Sequence, residues 1–512
     1  MHAITDSYDY VVVGGGTAGS VLAARLSERG GARVLLLEAG GDRPPAAAAS
    51  PPAWPTPLGT QSNWGDTTVR QSATGTTTPL ARGRGLGGGS TVNAMTFVRG
   101  HHSGYDAWTA GGAKGWGFDD LLPYFKRSEN APGRDPVLRG VGGPLTVGPA
   151  GPPHPVVAAL LTAATQTGYR RAADISGGLE EGFGWSDLNI AGGRRQSAAD
   201  AYLTPARHRP NLTVVTGALV HRLLLRDGRC VGVEYGHADR TGTGTGTVAV
   251  GCRGEVVLTA GTIGTAQLLM LSGVGPKAHL RDMGIDVALD LPGVGTNLHD
   301  HPLAAVVHRA ARPVPPGTGN HGEAVGLVRS RLGIRDPDVQ VLLAGAPGDP
   351  PAPDVPDGQE YRIAVSPMRP YSRGSVRLAS AAPGVMPRVD PDYYGDERDL
   401  TTMVEALFLA REIGRARALD GWRAHEVSPG PDVKDDAGLR AYARSTLASY
   451  MHPVGTCRIG IDDLAVVDTD LRVHGVDGLR IADASVMPAI PSGDIAATVY
   501  AIAERAADLL RR

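Results

Sequence analysis

An α/β (α+β) fold is predicted by three observations. A buried strand runs into a glycine turn and a helix near residue 10, a strand and helix close the chain, and proline-punctuated strands fill much of the middle. Tyr8-Asp9-Tyr10-Val11-Val12-Val13 reads as a buried parallel strand. It leads into Gly14-Gly15-Gly16-Thr17-Ala18-Gly19, which fits G-x-G-x-x-G, and then into the helical run Ser20 to Arg29. A second apolar strand, Val34 to Leu37, ends at Glu38, nineteen residues after Gly19. In such a unit Gly14 allows the tight turn, Gly16 the approach of a pyrophosphate, and Gly19 close packing of helix on strand. The helix N-terminus offers amides and a positive dipole end to phosphate. Glu38 stands about where a carboxylate takes the ribose hydroxyls of an adenosine. Strand, turn, helix, strand and acid all fall in order, so the motif predicts a Rossmann-like, dinucleotide-binding domain rather than a glycine-rich surface turn.

Further along, Pro44 to Pro57 is rich in Pro and Ala and reads as a surface excursion, and Arg82 to Asn93 as a glycine-dense loop. A helix is expected around Asp119 to Ser128. Leu212 to Leu225 and Val231 to Tyr235 alternate as antiparallel strands, with the Thr-Gly alternation of Thr241 to Thr247 as a hairpin tip. Glu255 to Ala260 is a buried strand. Pro302 to Pro391 is strand-rich, with a loose stretch at Arg312 to Asn320, and Leu400 to Ala416 is helical. Strand Leu479 to Ala482 and helix Ile495 to Leu510 complete the order. Nucleotide-domain strands drawn from both ends of the chain imply a second domain inserted between its parts. That arrangement suits a flavoprotein better than a nicotinamide dehydrogenase with one contiguous Rossmann half.

Composition narrows the function. A length of 512 residues with 42% hydrophobic and 20% charged residues describes a multidomain globular protein with ample core. A net charge of −2 gives no electrostatic case for nucleic acid or an anionic membrane. Three cysteines (Cys230, Cys252 and Cys457) without a C-x-x-C pair argue against a disulfide framework, a metal site and a dithiol centre. No secretory signal precedes the first strand, so a cytoplasmic location is expected. The charge-free run Val256 to Pro276 carries four glycines and three threonines, and reads as strand, turn and buried helix rather than a membrane span.

Longer motifs identify a family. Gly83-Arg84-Gly85-Leu86-Gly87-Gly88-Gly89-Ser90-Thr91-Val92-Asn93, continuing to Asp106, resembles the first signature of the glucose-methanol-choline (GMC) oxidoreductases. Gly261-Thr262-Ile263-Gly264-Thr265-Ala266-Gln267-Leu268-Leu269 with Ser272 to Pro276 resembles the second, Ala266 standing where Pro or Ser is usual. Pro292 to His301 resembles another family stretch, with His299 replacing a common Gln. His452-Pro453-Val454-Gly455-Thr456 and Asp483-Ala484-Ser485 complete the resemblance, which spans nearly the whole chain.

The resemblance implies an FAD-binding domain of residues 1–150, 206–301 and 451–512, and a substrate domain of 151–205 and 302–450 on an antiparallel sheet with helices. It implies FAD held by Gly14, Gly16, Thr17, Ala18, Gly19 and Glu38, with the flavin ring beside Gly88, Asn93, Ala94 and Thr96. Val220 would line the adenosine side, and Asp483 and Ala484 the pyrophosphate and ribitol. Val92 occupies the position from which a histidine attaches FAD in some relatives, so the cofactor is expected to be non-covalent.

The implied activity is oxidation of a small organic alcohol, primary and either aryl or amine- or amide-bearing, by hydride transfer to flavin N5. Oxygen or another electron acceptor would reoxidise the flavin. His452 matches the family's catalytic histidine, and a neutral imidazole suits removal of the hydroxyl proton. His101, His102, His154, His208, His221 and His425 read as surface or capping residues. Tyr450, two before His452, is expected to face the substrate. Eleven positions after Asp483, where the family places His or Asn, stands Asp494. An anionic Asp494 would raise the pKa of His452. It could instead take the proton itself, hold a donor on the substrate, or serve only as the N-cap of the last helix. A non-redox lyase and a light-driven decarboxylase are alternative activities built on this fold.

Overall fold

The computed structural model describes residues 6–149, 151–238, 245–346, 355–356 and 358–512. Its first sheet has seven strands, in the order Leu212–Thr216, Val34–Glu38, Ser7–Val13, Thr245–Leu258, Arg229–Ala238 and Ala218–Arg226, with Leu479–Ile481 also paired to Thr245–Leu258. Val13 pairs in register with Leu37 on one side and Leu258 on the other. The chain therefore leaves three neighbouring parallel strands at one level, and Gly14, Glu38 and Thr259 emerge together. This carboxyl edge is where an open α/β sheet places its ligand. Helix Thr17–Leu26 packs against Ala496–Leu509, the last helix of the chain.

One sequence expectation needs correction here, and a second is extended. Leu212 to Leu225 is not one antiparallel strand, because Leu212–Thr216 runs parallel to Val34–Glu38 and only Ala218–Arg226 is antiparallel to its neighbour. Gly217, with φ of 67°, makes the break between them in a conformation other residues adopt reluctantly. Glu255 to Ala260 is the end of the single strand Thr245–Leu258, whose first half pairs antiparallel and whose second half pairs parallel. Of the expected hairpin tip, residues 241–244 lie outside the described residues, and Thr245 already opens that strand.

The second sheet is antiparallel, in the order Arg423–Ser428, Pro302–Ala310, Glu360–Pro367, Val339–Ala344, Ala324–Val328 and Gly182–Trp185, with Ala448–Ser449 paired to Pro302–Ala310. Its faces separate by the two-residue alternation of strands. Val306, Ile363, Val341 and Leu343 bury against helices Pro155–Gln166 and Glu397–Arg415. Leu303, Ala305, Ala364, Leu342 and Ala344 take the other face and line the main cavity. Residues 198–203, assigned by sequence to the second domain, pack with the hydrophobic cluster of the first sheet. Val256 to Pro276 resolves into the end of a strand and helix Gly261–Leu271. Among the described residues no helix is long and apolar enough to cross a membrane.

Candidate active site

One cavity of about 1340 Å³ reaches from the carboxyl edge of the first sheet to the inner face of the second. It exceeds the roughly 300–1,000 Å³ usual for a single small ligand, leaving room for a dinucleotide and a substrate together. Gly14, Gly16, Thr17, Ala18, Glu38, Gly88, Asn93, Ala94, Thr96, Val220, Asp483, Ala484, His452 and Asp494 all line it. Gly19 does not. It lies beneath the turn, where an added Cβ would fall 1.8 Å from the Gly14 carbonyl oxygen, so it serves the close packing of helix on strand.

Gly16 is different in kind. Its φ is −70°, and an added Cβ would meet nothing closer than Gly88 Cα at 3.8 Å, so its bareness keeps cavity space open. As N-cap it has no side chain to occupy the first amides of Thr17–Leu26. Those donors remain for an anionic group. Gly88, at φ of 51°, lies against Gly16, and a Cβ there would sit 2.7 Å from Gly16 Cα. The two glycine turns thus pack backbone to backbone.

Glu38 does more than its expected task. Its Oε2 accepts from Gly15 N–H at 2.7 Å, and its Oε1 from Gly40 at 2.7 Å and Gly85 at 3.0 Å. A carboxylate has about four acceptor sites, so one remains for a ribose hydroxyl. Asp483 is likewise committed, accepting from Gly261 N–H, the Thr265 hydroxyl and Ser485 N–H. The residues present fit FAD: open helix amides, a carboxylate with one acceptor site left, and apolar Val92 where a covalent link would require histidine.

At the second sheet, His452 follows Met451, whose φ of 63° is left-handed, and the turn is secured by Met451 N–H donating to the Ser449 hydroxyl at 2.7 Å. The His452 Nε2 stands 3.3 Å from Asp494 Oδ1. Burial pushes His452 down to about 3 and Asp494 up to about 7, because neither charge is well solvated. This reverses the upward shift that an anionic Asp494 would bring: burial alone sets the direction for His452, and Asp494 becomes the group that titrates near neutrality. The helix-cap reading also fails. Ile495 is the N-cap of Ala496–Leu509 and no side chain caps it; the buried Asp494 carboxyl is turned instead towards His452 and the Gln340 side chain.

The Tyr450 ring lies 4.6 Å from the His452 ring and lines the cavity, and its hydroxyl accepts from Gln340 Nε2 at 3.1 Å. Sequence reasoning gave no role to Gln340, Asp300 or His301. Gln340 was visible only as a lone polar residue in the apolar run Val339–Ala344. Asp300 and His301 lay inside a recognised motif without a task, yet His301 Nδ1 sits 3.1 Å from His452 Nδ1. The Pro44 to Pro57 stretch is no mere surface excursion either. It forms short 3-10 turns, and its Pro52, Trp54 and Thr56 wall the cavity, tied across it by Trp54 Nε1 donating to the Asn320 carbonyl at 3.1 Å. His101 and His154 are buried rather than exposed; each stands at the N-cap position of a helix without capping it through its side chain, and His154 Nε2 bonds to the Pro315 carbonyl.

Comparison with known proteins agrees with this geometry. The N-terminal and C-terminal family models described as GMC oxidoreductase match residues 8–303 and 370–503. An oxygen-dependent choline dehydrogenase of Brucella canis is 37% identical, over 98% of this chain and 95% of the relative. The crystal structure of pyridoxine 4-oxidase from Mesorbium loti superposes with a TM-score of 0.93 at 36% identity, covering 98% of both chains. A fungal aryl-alcohol oxidase superposes with a TM-score of 0.85 at 25% identity, covering 99% of both.

Proposed function

This chain belongs to the GMC oxidoreductase family and is an FAD-dependent alcohol oxidoreductase, and we propose that it oxidises a primary alcohol borne on a flat, largely apolar body, with His452 as general base. The observation that carries this reading is the His452–Asp494 pair, held at 3.3 Å within the same cavity as the glycine turns. Bound FAD supplies the hydride acceptor. The chain's own part is to place the carbinol and remove its hydroxyl proton, which His452 Nε2 accepts. Leu303, Ala305, Leu342, Ala364 and Tyr450 offer the body of the substrate an aliphatic wall and one aromatic ring. The likeness to pyridoxine 4-oxidase supports a ring-bearing alcohol.

Asp494 modulates the base. Below neutrality its protonated carboxyl can donate to Nε2 and occupy the lone pair that the alcohol needs. Once ionised, it releases Nε2 and stabilises the imidazolium that forms. A second reading, an alcohol carrying a cationic nitrogen, is favoured by the Asp494 carboxyl on the cavity wall and by the choline dehydrogenase relatives. The division into 1–150, 206–301 and 451–512 for the cofactor and 151–205 and 302–450 for the substrate is supported by the two sheets, except at residues 198–203, which pack with the first. Val92 supports non-covalent FAD.

An anaerobic panel of alcohols, followed by flavin absorbance and then by admission of air, tests the proposal. Bleaching by ring-bearing primary alcohols is expected, with return of colour in air marking an oxidase. Faster bleaching by amino alcohols would select the second reading. No bleaching by any alcohol would turn attention to lyase or light-driven decarboxylase activity.

A further inference from the structure

We propose that His301, held in place by Asp300, is a positioning residue that fixes the tautomer of His452 and leaves the Nε2 lone pair facing the cavity. The inference rests on the reading of His452 as the base, and it begins from an acceptor. His301 Nε2 lies 3.3 Å from the Met368 carbonyl oxygen, which can only accept, so Nε2 carries the hydrogen. His301 is fully buried, and burial holds it well below the usual histidine range, so the ring is neutral and has a single N–H. Its Nδ1 is therefore a lone pair. The only way for His452 Nδ1 to satisfy a contact of 3.1 Å with it is to donate. A neutral His452 with hydrogen on Nδ1 has a bare Nε2, the atom that stands 3.3 Å from Asp494.

Asp300 explains why the rings meet. Its Oδ1 accepts from the backbone N–H of His301 at 2.8 Å and of His452 at 2.7 Å. Its Oδ2 accepts the hydroxyls of Tyr393 and Ser449. Four donors fill the roughly four acceptor sites of one carboxylate, and they join segments 151 residues apart in sequence. The rings then cross at 81° with centroids 5.3 Å apart, the geometry of a hydrogen bond made edge-on. The sequence of groups ends on a carbonyl, which does not pass a proton onward. It thus orients the base and is no proton relay.

The test is the tautomer itself. Long-range ¹⁵N–¹H NMR of the holoenzyme, with His452→Gln to assign the ring, should show His452 Nδ1 protonated and Nε2 unprotonated. The opposite tautomer would overturn the proposal, and it is readable whether or not any alcohol is oxidised. His301→Leu removes the acceptor and should slow anaerobic flavin reduction at least about tenfold, within the roughly 10²–10⁴-fold that a positioned base supplies, while substrate affinity changes less than about threefold. His301→Asn keeps an acceptor oxygen near the place of Nδ1 and should stay within about threefold of wild type. Equal loss in the two variants would count against the proposal, as would a His301→Leu enzyme with unchanged rate and tautomer. Should His301→Leu fail to fold, the wild-type tautomer and the Asn variant still decide. An intact reductive rate in His452→Ala would instead defeat the assignment of the base, leaving the tautomer measurement standing.

Discussion

His452 Nε2 and Asp494 Oδ1 face each other at 3.3 Å inside the protein, where burial drives both groups towards their neutral forms. With His452 held at about 3 and Asp494 raised to about 7, the group that changes state near neutrality is the carboxyl. The reductive half-reaction should therefore gain rate as pH rises through about 7, where Asp494 loses its proton and Nε2 is released. Asp494→Asn should abolish that rise and leave a flat profile across neutrality. A stopped-flow pH profile of flavin reduction checks this, and an unchanged inflection in the Asn variant would refute it.

The same carboxyl has a stability consequence with a definite sign. Its folded pKa is raised above the unfolded value, so its contribution is fully present below the unfolded pKa and is lost as pH rises through about 7. Asp494→Asn should then raise Tm at pH 8 more than at pH 4. Calorimetry at the two values provides the measurement.

His452→Ala should keep its flavin while anaerobic reduction by substrate slows at least about a hundredfold, the low end of what a general base contributes. A loss below about threefold would leave Asp494 as the better candidate.

Gly16→Ala and Gly19→Ala should part company. Gly16 has ordinary φ and space around its Cβ position, so its Ala variant should fold yet bind FAD at least about tenfold more weakly. Gly19 has a backbone oxygen 1.8 Å from the Cβ position, so its variant should be lost to misfolding. Soluble yields and flavin titration distinguish them.

Glu38→Ala should cost both flavin and stability, because it strands the amides of Gly15, Gly40 and Gly85. Each buried donor left unpaired costs about 1–3 kcal/mol. Glu38→Gln, which keeps two acceptor lone pairs, should be milder. Thermal denaturation of the apoproteins reads the difference.

Acid precipitation should release yellow flavin into the supernatant, since Val92 offers no ring nitrogen for a covalent bond. Flavin retained in the pellet would contradict this.

Local order was legible in the sequence wherever one short stretch carries the whole instruction. The apolar run Val11 to Val13, the glycine turn and the Val34–Glu38 strand encode a βαβ unit through φ freedom and continuous apolar runs alone, and the long glycine signatures marked a cofactor loop. His452 and Asp494 could be named as a pair by motif spacing. Their protonation could not, because a pKa depends on solvent excluded by residues from the whole chain. The second sheet's order, the wall formed by Trp54, and the clasp of Asp300 on His301 and His452 were decided only in three dimensions. Nothing in a linear pattern shows that two backbone amides 151 residues apart share one carboxylate oxygen. Periodicity selects the elements, whereas burial and long-range hydrogen bonds select which nitrogen of which histidine is left bare.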